Sequence, residues 1–108
     1  MPRDAATPTP EISVSVTFKN TDATDALKSY ATEKITNCIR KFAHHSCEVG
    51  VVLRVEKNRQ IAETSFNLGG NTFTASHESD DMYASIDGLI DTLTAQLRKH
   101  KDKLTSHH

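Results

Sequence analysis

Residues 12–18 alternate strictly. Ile12, Val14, Val16 and Phe18 point one way, and Ser13, Ser15 and Thr17 the other. A period of two predicts a strand with one buried face. The period then changes. Thr24 or Asp22 is placed to cap a helix, with Asp25 favourable in its first turn. Leu27, Tyr30, Ala31, Ile35, Cys38, Ile39 and Phe42 recur at helical spacings and form one apolar stripe, predicting a helix that ends near Phe42. From Cys47 the alternation returns, with Cys47, Val49, Val51, Leu53 and Val55 facing away from Glu48, Gly50, Val52, Arg54 and Glu56. Lys57-Asn58-Arg59 reads as a turn. Ala62, Thr64, Phe66 and Leu68 alternate in their turn, and Gly69-Gly70-Asn71 offers the positive φ that a tight hairpin needs. Residues 72–77 give a further short strand. Ser79-Asp80-Asp81 is a second capping segment, before a stripe of Met82, Ile86, Leu89, Ile90, Leu93, Leu97 and Leu104. Gly88 interrupts that helix at a cost of up to about 1 kcal/mol relative to Ala.

The element order is β-α-β-β-β-α, an α+β fold. One apolar stripe per helix and one apolar face per strand predict a four-stranded mixed sheet with both helices on one face. A right-handed crossover makes the first two strands parallel if they are neighbours, and the later strands form an antiparallel meander. Ser13, Ser15, Thr17, Arg54 and Glu56 fall on the opposite, solvated face. Residues 1–10, with three Pro, carry too little apolar surface to offset their ordering and are expected to be a flexible tail. Residues 11–108 form one domain.

Composition narrows the class. The chain has 108 residues, 36% of them hydrophobic, enough for one core without staples. It has no apolar run near the roughly 20 residues of a membrane span, and its first ten residues have no signal-peptide core. Two Cys do not make a disulfide framework, which points to a reducing, cytoplasmic setting. The net charge of −1 weighs at first against a nucleic-acid partner. That sum conceals an asymmetry. Residues 98–108 hold four cations and one acid, a charge of +3, which leaves −4 for residues 1–97.

Candidate chemistry is sparse. His44, His45 and Cys47 lack the second ligand pair that zinc spacing requires, so no metal site is expected. Asp87 and Asp91 lie one turn apart on an exposed face, with nothing to separate their pKa values, so no catalytic pair and no enzyme activity are expected. There is no phosphate-cradling glycine loop before a helix, and no cofactor is implied. Tyr83 lies near the edge of its helix's apolar stripe and is expected in the core or at its boundary, with base stacking as the alternative reading. The basic residues are more informative. Lys99 and Lys103 flank the second helix's stripe, and Lys34, Arg40 and Lys41 lie on the corresponding flank or outer face of the first. With the helices side by side, these residues would line a shared basic groove.

The segment from Asp81 to Asp91, DMYASIDGLID, with Leu93 and the run from Gln96 to Leu104, QLRKHKDKL, resembles the bacterial ribosome hibernation factors, the family of the short hibernation-promoting factor and the ribosome-associated inhibitor. VVLRVEK from Val51 and TDALK from Thr24 resemble the family's second strand and first-helix start. The resemblance runs from about Ile12 to Leu104 and is nearest to the short form, without the longer form's C-terminal domain. It implies a fold similar to double-stranded-RNA-binding domains and no enzymatic activity. It also implies binding to the small ribosomal subunit in the channel of messenger and transfer RNA. That binding would silence translation in starved cells and pair ribosomes into inactive dimers, together with a separate modulation factor. The protein itself would be monomeric and off the membrane. Carried over by position, Lys28 and Lys34 on the first helix and Lys99, Lys101 and Lys103 on the second match the family's RNA-contacting basic positions. Arg40, Lys41 and Arg98 complete the expected set. Asn37, Thr92 and Ala95 stand where members commonly carry Lys or Arg. The rival reading is a protein-interaction module that uses the open sheet face or an edge strand without touching rRNA.

Overall fold

The computed structural model describes residues 11–105, apart from His44 and the side chains beyond His100. The expected tail at residues 1–10 lies outside them. Strand β1 (Ile12–Lys19) leads to helix α1 (Asp25–Arg40), then to strands β2 (Cys47–Glu56), β3 (Arg59–Leu68) and β4 (Asn71–Ser79), and to helix α2 (Met82–Thr105). The four strands form one sheet in the order β1-β2-β3-β4. β1 pairs with β2 in parallel, and the other two pairings are antiparallel. The mixed sheet and its element order are those the hydropathy pattern predicts.

The ends of the elements have local causes. Thr24 caps α1 by accepting a hydrogen bond from the Leu27 N–H at 3.1 Å, and a carboxylate oxygen of Asp81 accepts one from the Ala84 N–H at 3.0 Å at the start of α2. β3 begins earlier than the alternation suggests. Its polar first residues join the ladder because Glu56 pairs with Arg59 across the Lys57-Asn58 turn, where Lys57 takes a φ of 58°. At the other hairpin Gly69 and Gly70 adopt φ of 60° and 82°, the left-handed values that glycine tolerates without a Cβ penalty.

The core lies between the sheet and the two helices. Ile35 and Ile39 from α1, Val51 and Leu53 from β2, and Ile86, Leu89, Leu93 and Leu97 from α2 are all buried. Among this apolar set Ser85 is completely buried and hydrogen-bonded throughout. Its hydroxyl donates to the Gln60 carbonyl at 2.6 Å and lies 2.8 Å from the Ser79 hydroxyl and 3.1 Å from the Asp81 carbonyl. It thereby ties the first turn of α2 to β3 and β4. Replacing Ser85 by Ala leaves the Gln60 carbonyl short of a donor in the interior. The expected cost is about 1–3 kcal/mol in chemical denaturation.

The glycine within α2 also has a steric reason. A Cβ on Gly88 would fall on the imidazole ring of His77, which reaches from β4 across the helix. The propensity cost of Gly88 is therefore tied to a close approach between helix and ring. Both cysteines are buried thiols. Cys47 donates to the Asn67 carbonyl at 3.3 Å, and its burial, helped by Glu48, pushes its pKa up.

Candidate nucleic-acid interface

Three contacts set the relation between the helices. The Tyr30 hydroxyl donates to a carboxylate oxygen of Asp87 at 2.6 Å, the Tyr30 and Tyr83 rings meet edge to face at 4.9 Å, and Cys38 Sγ lies 3.4 Å from the Thr94 hydroxyl. Moving along α1 from Tyr30 to Cys38 moves along α2 from Tyr83 to Thr94. The helices therefore run in the same direction.

Helical spacing from these contacts places one line of residues of each helix along the seam. On α1 it is Tyr30, Lys34 and Cys38, continued by Lys41 just past the helix end; on α2 it is Tyr83, Asp87, Ile90, Thr94 and Arg98. Successive members are three or four apart, as one helix face requires. The seam thus has two ends. Tyrosines and Asp87 occupy one end, and Lys41 and Arg98 the other; Lys41 caps the C-terminus of α1, where the macrodipole favours positive charge. Lys34 stands between them, its Nζ 5.3 Å from the centre of the Tyr30 ring.

The other basic residues are distributed differently from the shared groove expected above. Lys99 follows Thr94 by five residues, so it lies about 140° around α2 from the seam line. That direction turns it toward the flank over β4, where Gln96 donates to the Thr74 carbonyl at 3.1 Å. Lys28 and Arg40 each lie about 120° around α1 from Lys34. Both flanks of α2 satisfy its apolar stripe equally, and the packed pairs Tyr30–Asp87 and Cys38–Thr94 decide which of them meets α1. Lys28, Lys34, Arg40, Lys41, Arg98 and Lys99 are all exposed. Lys101 and Lys103 belong to the last turns of α2, and their side chains lie outside the described residues. The gap at Asn37 is on α1 between Lys34 and Lys41, whereas Thr92 is on the β4 flank of α2.

Charge is partitioned between the two faces of the molecule. On the open sheet face Arg54 binds Glu63 through two nitrogens, at 3.3 and 3.1 Å, and Glu56 at 3.0 Å. Its hydrogen bond to Glu63 pushes the guanidinium pKa up and holds the charge. Arg59 binds Glu78 at 3.3 Å and Asp80 at 2.9 Å. Among the described residues, the ion pairs formed by the arginines are these, and none involves Lys28, Lys34, Arg40, Lys41, Arg98 or Lys99. The sheet arginines are matched by carboxylates of the same chain, and the helix cations face solvent.

Tyr83 stands at the open side of the expected core boundary, packed on Tyr30. It is 39% exposed, the large hydrophobic residue left open among the described residues. The hydrogen bond between Tyr30 and Asp87 was not visible in the sequence, because its partners are 57 residues apart. Asp87 raises the Tyr30 pKa, chiefly through that bond. A phenol with a raised pKa favours the folded state below its ordinary value near 10, and that contribution is lost as pH rises through the raised pKa. Among the described residues, no helix is long and apolar enough to cross a membrane.

Comparison with known proteins agrees with this architecture. Residues 14–105 match the family model described as sigma 54 modulation protein / S30EA ribosomal protein. The chain is 43% identical over 94 residues to the ribosome hibernation promoting factor of Klebsiella oxytoca, covering 87% of this chain and 98% of that one. It is 40% identical to the protein of the same name from Escherichia coli strain K12, with the same coverage. Among solved structures, a ribosomal subunit interface protein from Coxiella burnetii superposes with a TM-score of 0.72 at 27% identity, over 82% of this chain and 96% of that one. The N-terminal domain of Thermus thermophilus Protein Y gives 0.74 at 25% identity, over 82% and 98%. Family model, full-length relatives and fold coincide: the chain belongs to the sigma 54 modulation protein / S30EA ribosomal protein family.

Proposed function

We propose that this protein is a non-enzymatic ribosome hibernation factor of the cytoplasm. It binds the small ribosomal subunit where messenger and transfer RNA would lie, blocks translation in stationary cells, and promotes inactive ribosome dimers together with a separate modulation factor. The names of its relatives support hibernation, and the family resemblance supports the site. The observation that carries the reading is the division of charge. The helix layer presents cations with no carboxylate partner among the described residues, while the sheet arginines are neutralised in place. An RNA backbone supplies the missing anions.

On this reading Lys34, Lys41 and Arg98 contact phosphates along the seam. Lys28, Arg40 and Lys99 add contacts or field on the neighbouring faces, and Lys101 and Lys103 add positive charge in the last turns of α2. Phosphate contacts fix orientation without reading sequence, which suits recognition of rRNA by shape. Each contact releases condensed counterions, so affinity must fall with salt. Binding to isolated small subunits is expected to weaken by on the order of a hundredfold between roughly 50 and 200 mM salt. Affinity that does not change with salt would rule out phosphate contact as the source of binding.

A further inference from the structure

We propose that the tyrosine end of the helix seam is a stacking site for an unpaired nucleobase, with Tyr83 as the platform. The inference rests on the rRNA-binding reading above and deepens it. Tyr83 is 39% exposed. Its contact with Tyr30 is edge to face, with ring centres 4.9 Å apart and planes at 74°. If the Tyr83 edge meets the Tyr30 face, both Tyr83 faces are clear of Tyr30. If the Tyr30 edge meets Tyr83, one face is clear. In either geometry Tyr30 leaves Tyr83 a face on which a planar ring can lie.

The platform is also braced. Tyr30 is fixed from α2 by the 2.6 Å bond to Asp87 and from its own helix by the Lys34 ammonium 5.3 Å from its ring centre. The ring against which Tyr83 rests therefore has little freedom to turn, which lowers the entropy cost of stacking. The local charge favours a base over a phosphate here. Asp81 and Asp87 both lie close enough to act on Tyr30, and a phosphate beside them would be repelled. A nucleobase is uncharged, and Lys34 is placed beside the rings for the phosphate of the same nucleotide or its neighbour. Sequence-tolerant stacking of single-stranded bases on exposed aromatic side chains is a general mode of RNA recognition.

The test measures binding of Tyr83→Ala, Tyr83→Leu and Tyr83→Phe to isolated small ribosomal subunits across a salt series. The triple variant Lys34→Ala/Lys41→Ala/Arg98→Ala runs in parallel. Loss of a stacked base is expected to weaken Tyr83→Ala and Tyr83→Leu by roughly 5- to 150-fold with an unchanged salt slope, because no phosphate contact is lost. Tyr83→Phe should stay within about twofold of wild type, since the π-face is retained. Tyr83→Leu keeps apolar bulk at the seam, and thermal unfolding verifies that it folds. Wild-type affinity in Tyr83→Leu would overturn stacking in favour of plain apolar contact. Wild-type affinity in both Tyr83→Ala and Tyr83→Leu, with the cation triple still losing affinity, would overturn the platform and leave the ribosome reading standing. Unchanged affinity in all of these variants would overturn both.

Discussion

Replacing Lys34, Lys41 and Arg98 together by Ala is expected to weaken binding to the small ribosomal subunit by on the order of a thousandfold at low salt. The estimate takes about 1.5 kcal/mol for each charge-assisted contact to phosphate. The slope of log affinity against log salt should fall in magnitude by about 2–3, because each lost phosphate contact removes roughly 0.7–0.9. The fold should be unaffected, since all three side chains are exposed and take part in no ion pair among the described residues. The companion triple Lys28→Ala/Arg40→Ala/Lys99→Ala removes the same charge from faces turned about 120–140° from the seam. If the seam orients the protein on rRNA, that second triple loses less than about tenfold. Equal losses in the two triples would mean that net positive field, and not the seam, holds the complex.

The second large effect is on stability. Leu93 lies at the centre of the α2 stripe and is completely buried. Leu93→Ala removes its transfer energy and leaves a cavity beneath α2, at an expected cost of about 2–5 kcal/mol. For a domain of this size that lowers the melting temperature by roughly 10–30 °C. Thermal unfolding followed by circular dichroism measures it. The loss would also reach function, because Leu93 helps to hold α2 on the sheet and so sets the seam line of Asp87, Thr94 and Arg98. A melting temperature within a few degrees of wild type would show that α2 is not anchored by this stripe.

The parts of the fold legible in the sequence are those with a clean period. Ile12, Val14, Val16 and Phe18 and the run from Cys47 to Val55 each mark one face of a strand, and the structure pairs them in parallel as the crossover requires. Arg59 and Gln60 were not legible as strand. They are polar, and they extend β3 only because Glu56 and Ser79 stand opposite them in the ladder. The candidate site was legible as a list of cations but not as an arrangement. A helical stripe shows which residues flank the core, and both flanks satisfy it equally. Only the packed pairs Tyr30–Asp87 and Cys38–Thr94 distinguish the flank of α2 that meets α1. That distinction brings Arg98 to the seam with Lys34 and turns Lys99 away. The exposure of Tyr83 was hidden for the same reason, because a residue at the edge of a stripe is covered or open according to what packs beside it.

The paired arginines of the sheet give the helix cations their significance. With Arg54 and Arg59 held by Glu56, Glu63, Glu78 and Asp80, the positive charge of the open sheet face is matched in place except for Lys19 at the end of β1. The net charge of −1 is thus compatible with a molecule that meets an anionic partner on one side only. The most direct measurement of that claim is a density map of this protein bound to the small ribosomal subunit. The expected map has the α1–α2 seam against rRNA, with Lys34, Lys41 and Arg98 at phosphates and the Arg54–Glu63 face turned away. A map in which the sheet face or the β1 edge lies against a ribosomal protein, with the helix cations in solvent, would contradict it.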